Sequence, residues 1–420
     1  MQAGAINKLM LFLPPRHGKS EMVTVRYPVY MMEQDPSLRV IVGAYNQSLA
    51  ERFSRRSRRL AAGCMILSRE RNTAADWETA AGGGIRAVGV GVGVTGYGGD
   101  LIIIDDPVKN REEANSKTYR ERVWDWYTDD LYTRREPGAQ MVLIQTRWHE
   151  DDLAGRILAS DDAANWTVVS LPALAEKDDP LGRAAGEALC PERFDDAALE
   201  GIRTVMGSWS FAALYQQRPA PLEGALFRRE WFRTVEAAPE GLRWARYWDL
   251  AASVKTSADY TASVAAAMGP DGTVYYRDMV RGQWEWPDQE RIIASTVLAE
   301  PGTDQGIEKA LHGIAVLQTL ARRRDLVSTT IRGIDVDKDK LTRALPLAAR
   351  AEQGKVALVR GTWIGAFLDE LCTFTGDGDA HDDQVDTASG VLAMVATGYH
   401  GRLPPARGKP AMAGIASRTF

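Results

Sequence analysis

The sequence predicts an α/β chain of two domains, the first a largely parallel sheet with helices on its faces. Three observations predict it. The 420 residues exceed what one hydrophobic core comfortably organises. The first half alternates short apolar strands with helical stretches, which reads as a parallel sheet. A proline-rich stretch, Gln216–Gly224 (QQRPAPLEG), then breaks the pattern and marks an inter-domain connection.

In the first half the strands are expected at Lys8–Leu13, Arg39–Ala44, Asp100–Asp105, Gln140–Gln145 and Trp166–Leu171. Helices are expected at Ser20–Gln34, Gln47–Ala62, Ser116–Tyr132 and Asp151–Ser160. After the connection, strands are expected at Arg243–Leu250, Thr261–Met268 and Thr273–Val280, the last two joined by the turn Gly269-Pro270-Asp271-Gly272. The domains are expected at residues 1–205 and 241–398, with a linker at 206–240 and an unstructured tail at 399–420 rich in Gly, Pro, Ala and Arg.

Composition narrows the class. An apolar fraction of 45% and a charged fraction of 25% are ordinary for a globular protein. No run approaches the roughly 20 apolar residues of a membrane helix, and no signal-peptide pattern opens the chain. Cys64, Cys190 and Cys372 are far apart, which speaks against a disulfide framework or zinc site and fits a reducing cytoplasm. The net charge of -5 argues against a surface coated in positive charge, although Arg52, Arg55, Arg56, Arg58 and Arg59 cluster, as do Arg322–Arg324. Each run reads as a solvated helix face or as a DNA contact.

The sharpest local signal is LFLPPRHGKSE, a strand running through Gly18-Lys19-Ser20 into a helix. That context suits a phosphate-binding loop: backbone N–H groups hold phosphates, Lys19 supplies charge and the Ser20 hydroxyl meets Mg²⁺. The first glycine of the usual pattern is Leu13 here. The second half of such a site is LIIIDD, a buried strand ending in Asp105 and Asp106. Asp105 suits the metal, through water, and Asp106 the position that orients the attacking water, with Glu112 and Glu113 as alternatives. Gly91, Gly93 and Gly96 spell a dinucleotide fingerprint, but a strand follows, so a loop is expected. His149-Glu150-Asp151-Asp152 reads as a cap for the helix near Leu153.

A second constellation gathers carboxylates. Asp249 ends one strand, Asp259 precedes the next, Glu308 ends a short apolar strand, and HDDQVD (His381–Asp386) opens a helix. Carboxylates from strand ends and one helix suit two divalent cations, Mg²⁺ or Mn²⁺, about 3.5–4 Å apart. Ion pairing is the competing account of HDDQVD. Asp335, Asp337 and Asp339 resemble the start of a calcium loop, but Lys340 and Pro346 stand where its glycine and glutamate belong.

Taken in order, PPRHGKSE, GYGGDLIIIDDP, IQTRWHEDD, YQQRPAPLEG, YWDLAAS with DYTASV, DKLTRA and HDDQVDTAS resemble the large terminase subunits of tailed bacteriophages. The resemblance implies a P-loop ATPase of the additional-strand type followed by an RNase H-like nuclease. It implies ATP and Mg²⁺ at Arg16, His17, Gly18, Lys19, Ser20 and Asp105, with Arg16 sensing the γ-phosphate and Asp105 and Asp106 forming the second ATPase motif. Gln145-Thr146-Arg147 would couple hydrolysis to movement. Asp249, Glu308 and Asp383 would be the principal nuclease metal ligands, with Asp382, Asp386 and His381 adjacent. Arg343 and Lys340 would meet DNA phosphate. The implied partners are double-stranded DNA, a small terminase subunit and the portal of the procapsid, with the chain in a homo-oligomeric ring in the host bacterial cytoplasm. In the family a segment before the phosphate loop contributes to adenine binding, whereas few residues precede it here. A late start codon, a different adenine seat or a decaying prophage gene would each account for that. The rivals are a cellular ATPase–nuclease of DNA repair and a catalytically impaired remnant.

Overall fold

The structure is a computed structural model that describes residues 1, 5–220, 226–251, 260–309, 311–327, 329–376, 379 and 381–397. Asp259, the end of the Gln216–Gly224 connection and the tail expected at 399–420 lie outside the described residues.

The chain forms two compact units. The first comprises Met1–Arg228, Lys338–Gln353 and Cys372–Gly378; the second comprises Arg229–Asp337, Gly354–Leu371 and Asp379–Phe420. Residues 206–228, expected as linker, thus belong to the first unit, and they include the Ser208–Leu214 helix. The Lys340–Glu352 helix, expected with the second domain, also belongs to the first unit.

The first unit is built on an eight-stranded sheet: β1 (Lys8–Phe12), β2 (Arg39–Ala44), β3 (Leu67–Asn72), β4 (Asp76–Thr79), β5 (Gly84–Gly89), β6 (Gly99–Asp105), β7 (Arg135–Gln145) and β8 (Thr167–Ser170). The spatial order is β3-β4-β5-β2-β6-β7-β1-β8. From β5 to β8 all neighbours are parallel; β3 and β4 pair antiparallel at one edge. The apolar run of β6 is read alternately by two cores. Ile102 and Ile104 pack with Phe12, Met141 and Leu143 on one face, while Leu101 and Ile103 pack with Val40, Val42 and Val142 on the other. Burial on both faces is why this strand reads as a continuous apolar run. Strand β7 lies between β1 and β6, so an additional strand separates the phosphate-loop strand from the acidic one.

Local chemistry fixes the helices. Asn46 caps the Gln47–Ala61 helix by accepting from Leu49 N–H, and its buried Phe53, Ser54 and Ser57 leave Arg52, Arg55 and Arg59 outward. Asp152 caps the Leu153–Leu158 helix through Gly155 N–H, as read from the sequence. The helix expected from Ser116 to Tyr132 changes winding: an α-helix at Lys117–Asp125 passes into a wider-wound turn at Trp126–Leu131. That turn buries Trp126, Tyr127 and Leu131 together.

Among the described residues the second unit carries seven strands: β9 (Arg233–Val235), β10 (Trp244–Asp249), β11 (Thr261–Met268), β12 (Val274–Gly282), β13 (Asp304–Glu308), β14 (Ile331–Ile334) and β15 (Val356–Val359). Their order is β14-β13-β10-β11-β12-β15-β9. The expected hairpin is present: β11 and β12 pair antiparallel, and Gly272 takes a φ of 78° to close the turn. One face packs Trp248, Leu250 and Ile307 against the Asp288–Ala299 and Leu311–Leu320 helices. The other receives the Asp383–Ala396 helix, because Gly390 and Gly306 leave room for Tyr247 and Met394.

Candidate active sites

In the first unit the candidate site stands at the C-terminal ends of β1, β6 and β7. After β1 the chain turns through Arg16 (φ 66°) and Gly18 (φ 85°) before entering the helical stretch at Glu21. Those left-handed residues bend the loop around a cleft of about 630 Å³ that Arg16, Lys19, Ser20, Asp105, Asp106 and Thr146 help to line. A cleft of that size lies in the range that holds small ligands.

The side chains form one connected set. Lys19 Nζ is 2.8 Å from Asp106 Oδ2 and also donates to Thr146 Oγ1. Asp106 Oδ1 accepts from Thr146 N–H at 2.6 Å, and Asp106 itself holds a strained φ of 43°. Asp105 is fully buried and accepts from Ser20 Oγ at 3.1 Å and Thr24 Oγ1 at 2.5 Å. Burial, then Asp106 beside it, pushes the Asp105 carboxyl up from its ordinary range. Buried oxygens around a hydroxyl, with charge held unwillingly, are a donor set that fits Mg²⁺.

His17 stacks on Phe194 at 4.9 Å and its Nδ1 donates to Pro15 O at 2.9 Å, so the imidazole shapes the loop from behind. Burial lowers its pKa. Glu113, one alternative base, accepts from Lys109 N–H at 2.8 Å at the start of the Arg111–Asn115 helix, and Glu112 is exposed. Beyond Thr146, Arg147 is buried, packs over Phe12 and pairs with Asp152 at 2.7 Å. Arg111 was not singled out from the sequence. It is buried between Trp148 and Trp209, 5.3 and 4.7 Å from their rings, and burial lowers its pKa to about 10.

Part of each arginine run is taken up by structure. Arg56 pairs with Glu21 and Arg58 donates to Asn72 O at 2.6 Å, while Arg323 pairs with Glu290 and Asp325. Asp339 caps the Lys340–Glu352 helix through Thr342 N–H, and Asp335 pairs with Lys309 at 2.8 Å. Lys340 is exposed and Arg343 half-buried in that helix's first turn.

In the second unit, β10 and β13 run parallel with Trp248 beside Ile307, so Asp249 and Glu308 follow as neighbours at the strand ends. Tyr247 donates to Glu308 Oε2 at 3.0 Å. Tyr247 also meets Gly390, which puts the strand-end carboxylates on the sheet face covered by the Asp383–Ala396 helix. Asp383 and Asp386 occupy that helix's first turn, with Asp382 just before it and His381 packed edge-on to Tyr260.

Asp383 Oδ2 is buried and has no hydrogen-bond partner among the described residues; Arg281 Nη2 lies 4.0 Å from it. Burial, then Glu370 and Asp382, pushes its carboxyl up to about 6. A buried, orphaned carboxylate oxygen beside further acids fits a divalent cation better than an apolar neighbour. Among the described residues no three His, Cys, Asp or Glu side chains already close on one point. Sequence reasoning missed Arg281 on β12, Glu370 on the Ile364–Thr373 helix and Tyr260 just before β11, which adjoin this cluster.

Among the described residues no helix is long and apolar enough to cross a membrane. Residues 10–234 match the family model described as terminase large subunit, T4likevirus-type, N-terminal, and residues 246–394 match the terminase RNaseH-like domain. No curated protein matches the chain. Among solved structures, the large terminase of a thermophilic bacteriophage superposes with a TM-score of 0.53 at 10% identity, covering 93% of this chain and 94% of that one. The same phage protein in complex with ATP-gamma-S gives 0.51 at 12% identity, covering 93% and 94%. At such identities these likenesses bear on the fold alone. The first family model takes in more than half of the chain and the second most of the remainder, so this chain belongs to the large terminase subunits, which join an ATPase domain to an RNase H-like nuclease domain in the viral DNA-packaging motor.

Proposed function

We propose that the first unit of this chain hydrolyses ATP and that the second cuts double-stranded DNA by metal-dependent phosphodiester hydrolysis. The observation that carries the first half is the contact set Lys19–Asp106–Thr146, which joins the phosphate-loop lysine, the acid after β6 and the segment after β7.

Lys19 reaches the terminal phosphates only by loosening its hold on Asp106. Asp106 Oδ2 is then free to orient a water, while Oδ1 stays on Thr146 N–H. Arg16 and the loop N–H groups hold the phosphate oxygens, and His17 keeps the loop in shape. Ser20, and Asp105 through water, would hold Mg²⁺, which when bound neutralises phosphate charge. Because Thr146 contacts both Lys19 and Asp106, phosphate arrival alters its contacts, and the change passes along the chain to Arg147 on its Asp152 anchor. This is the coupling role read for Gln145-Thr146-Arg147.

In the second unit Asp249, Glu308 and Asp383, with Asp382 and Asp386 adjacent, would hold the divalent ions. Bound there, the ions would supply charge stabilisation to a phosphodiester undergoing hydrolysis. Tyr247 steadies Glu308, and the buried Asp383 oxygen keeps its lone pairs uncommitted. The partners of this reading are double-stranded DNA, a small terminase subunit and a portal on which the chain forms a ring, in the host bacterial cytoplasm. Gripping through phosphates, with Lys340 and Arg343 as contacts, makes DNA binding strongly salt-dependent.

The test is a double dissociation on the full chain. Lys19→Ala is expected to lower ATP turnover by at least about 10²-fold and leave plasmid cleavage in Mn²⁺ intact. Asp249→Ala is expected to do the reverse. Metal-dependent cleavage retained in Asp249→Ala would overturn the nuclease assignment.

A further inference from the structure

We propose that Arg281 is a catalytic residue of the second unit, presenting its guanidinium to a phosphodiester oxygen of DNA, and that Glu370 is the residue that positions it. The inference rests on reading that site as a nuclease.

Strand register brings Arg281 into the site. Asp249 stands opposite Ala262, and Ala262 stands opposite Arg281. The register irregularity between β11 and β12 lies farther along, at Ala265/Ala266, so the row is unbroken. Residues directly opposite one another share a sheet face. Glu308, Asp249, Ala262 and Arg281 therefore form one row on the face that the Asp383–Ala396 helix covers. Ala262 interposes only a methyl group.

The guanidinium is held on two sides. It lies 3.9 Å from the centroid of the Tyr260 ring, and Nη2 is 3.3 Å from Glu370 Oε2. Glu370 is buried in the preceding helix, Ile364–Thr373. Its Oε1 accepts from Gln384 N–H and its Oε2 from Gln384 Nε2, both at 2.6 Å. The Asp382 side chain makes no cap bond, so Glu370 caps the helix that carries Asp383 and Asp386. One carboxylate thus fixes both the start of that helix and the guanidinium beside it.

One donor, Nε, points to a ligand, while Nη2 is already held by Glu370. Nη2 faces Asp383 Oδ2 at 4.0 Å, longer than a hydrogen bond, and Nε is buried without a partner among the described residues. A row of carboxylates repels DNA phosphate, and the planar arginine fork matches phosphate oxygens in two-point geometry. Arg281 neither gives nor takes a proton. It stabilises the charge that develops on the phosphoryl oxygen as the water oxygen bonds to phosphorus and gives its proton to solvent, and as the P–O3′ bond breaks with its electron pair going to the 3′ oxygen, which takes a proton from solvent.

The experiment uses the full chain and two readouts: Mn²⁺ binding, from the loss of the free-ion paramagnetic resonance signal, and plasmid cleavage. R281Q is expected to keep Mn²⁺ binding at the wild-type midpoint or tighter, and to lose cleavage by about 10²-fold. R281K, with charge but no fork, should recover part of the loss, and E370Q should lose about tenfold. Cleavage by R281Q within twofold of wild type overturns the inference, as does loss of Mn²⁺ binding in parallel with cleavage. D383N separates the underlying reading: if wild type and D383N bind Mn²⁺ alike and neither cleaves, the nuclease assignment itself has failed.

Discussion

The two candidate sites solve the same electrostatic problem in opposite ways. Each buries a carboxyl that desolvation pushes above its ordinary range, Asp105 in one and Asp383 in the other. In the first unit the compensation is internal. Two hydroxyls donate to Asp105, and Lys19 sits 2.8 Å from Asp106. In the second unit Arg281 stops 4.0 Å short of Asp383, and an oxygen stays without a partner among the described residues. The difference teaches that a nucleotide has contacts to displace in one site, whereas a cation arriving in the other relieves a charge already held at a cost.

The largest expected break in that comparison is a pair of substitutions with opposite signs. Asp106→Asn removes the partner of the buried Lys19 and should destabilise the first unit by about 2 kcal/mol. Asp383→Asn in chelator-treated protein should stabilise the second unit. A folded pKa of about 6 against 3.8 unfolded corresponds to about 3 kcal/mol at most. The sign follows from the raised value. The contribution of Asp383 to stability is fully present below about pH 4 and is lost as pH rises through about 6. Thermal melts at pH 4.5 and 8 check it: the gain from Asp383→Asn should be about three times larger at the higher pH and vanish there when Mn²⁺ is added to wild type. Destabilisation by Asp383→Asn at pH 8 without metal would mean that the carboxylate is already compensated.

The same contrast explains what was legible in the sequence. Strand β2 was readable to the residue and β6 to within one, because a strand buried on both faces must be a run of apolar residues. Strands β3 to β5 were not anticipated. LSRERN is polar and mostly exposed at the sheet edge, and GIRAVG begins and ends in glycine, so neither shows an apolar period. The phosphate loop and its acids were legible because each lies in one short segment whose order dictates its geometry. The carboxylates of the second site could be named singly, but Arg281 and Glu370 could not. Only the pairing of β10, β11 and β12 carries Arg281 to the row, and only helix packing brings Glu370 to Gln384. Nothing in local composition marks either residue.

A smaller effect probes packing beneath each site. A Cβ at Gly43 would come within 2.6 Å of the Trp126 ring, and one at Gly390 within 2.6 Å of Tyr247. Both rings are buried, so neither can swing aside freely. Alanine at either position should cost about 1–3 kcal/mol. Gly43→Ala should lower ATP turnover with little change in cleavage, and Gly390→Ala the reverse, because the second glycine sets the distance between Tyr247 and the helix bearing Asp383. Equal loss of both activities from either substitution would show that the sites are not structurally separable.

The smallest contrast concerns single hydroxyls. Thr24 Oγ1 donates to the fully buried Asp105 at 2.5 Å, and Tyr247 Oη donates to Glu308 at 3.0 Å. Thr24→Val removes a donor from a carboxylate that is out of reach of water, so the charged form of Asp105 should become costlier by about 1–3 kcal/mol. The concentration of Mg²⁺ needed for half-maximal ATP turnover should rise accordingly. Tyr247→Phe leaves Glu308, which is only half-buried, in reach of water that can replace the lost bond. Its cost should therefore stay below about 1 kcal/mol, with a shift of less than about fivefold in the Mn²⁺ requirement for cleavage. A larger shift from Tyr247→Phe than from Thr24→Val would reverse the comparison, making the second site the one whose carboxylates depend on internal donors.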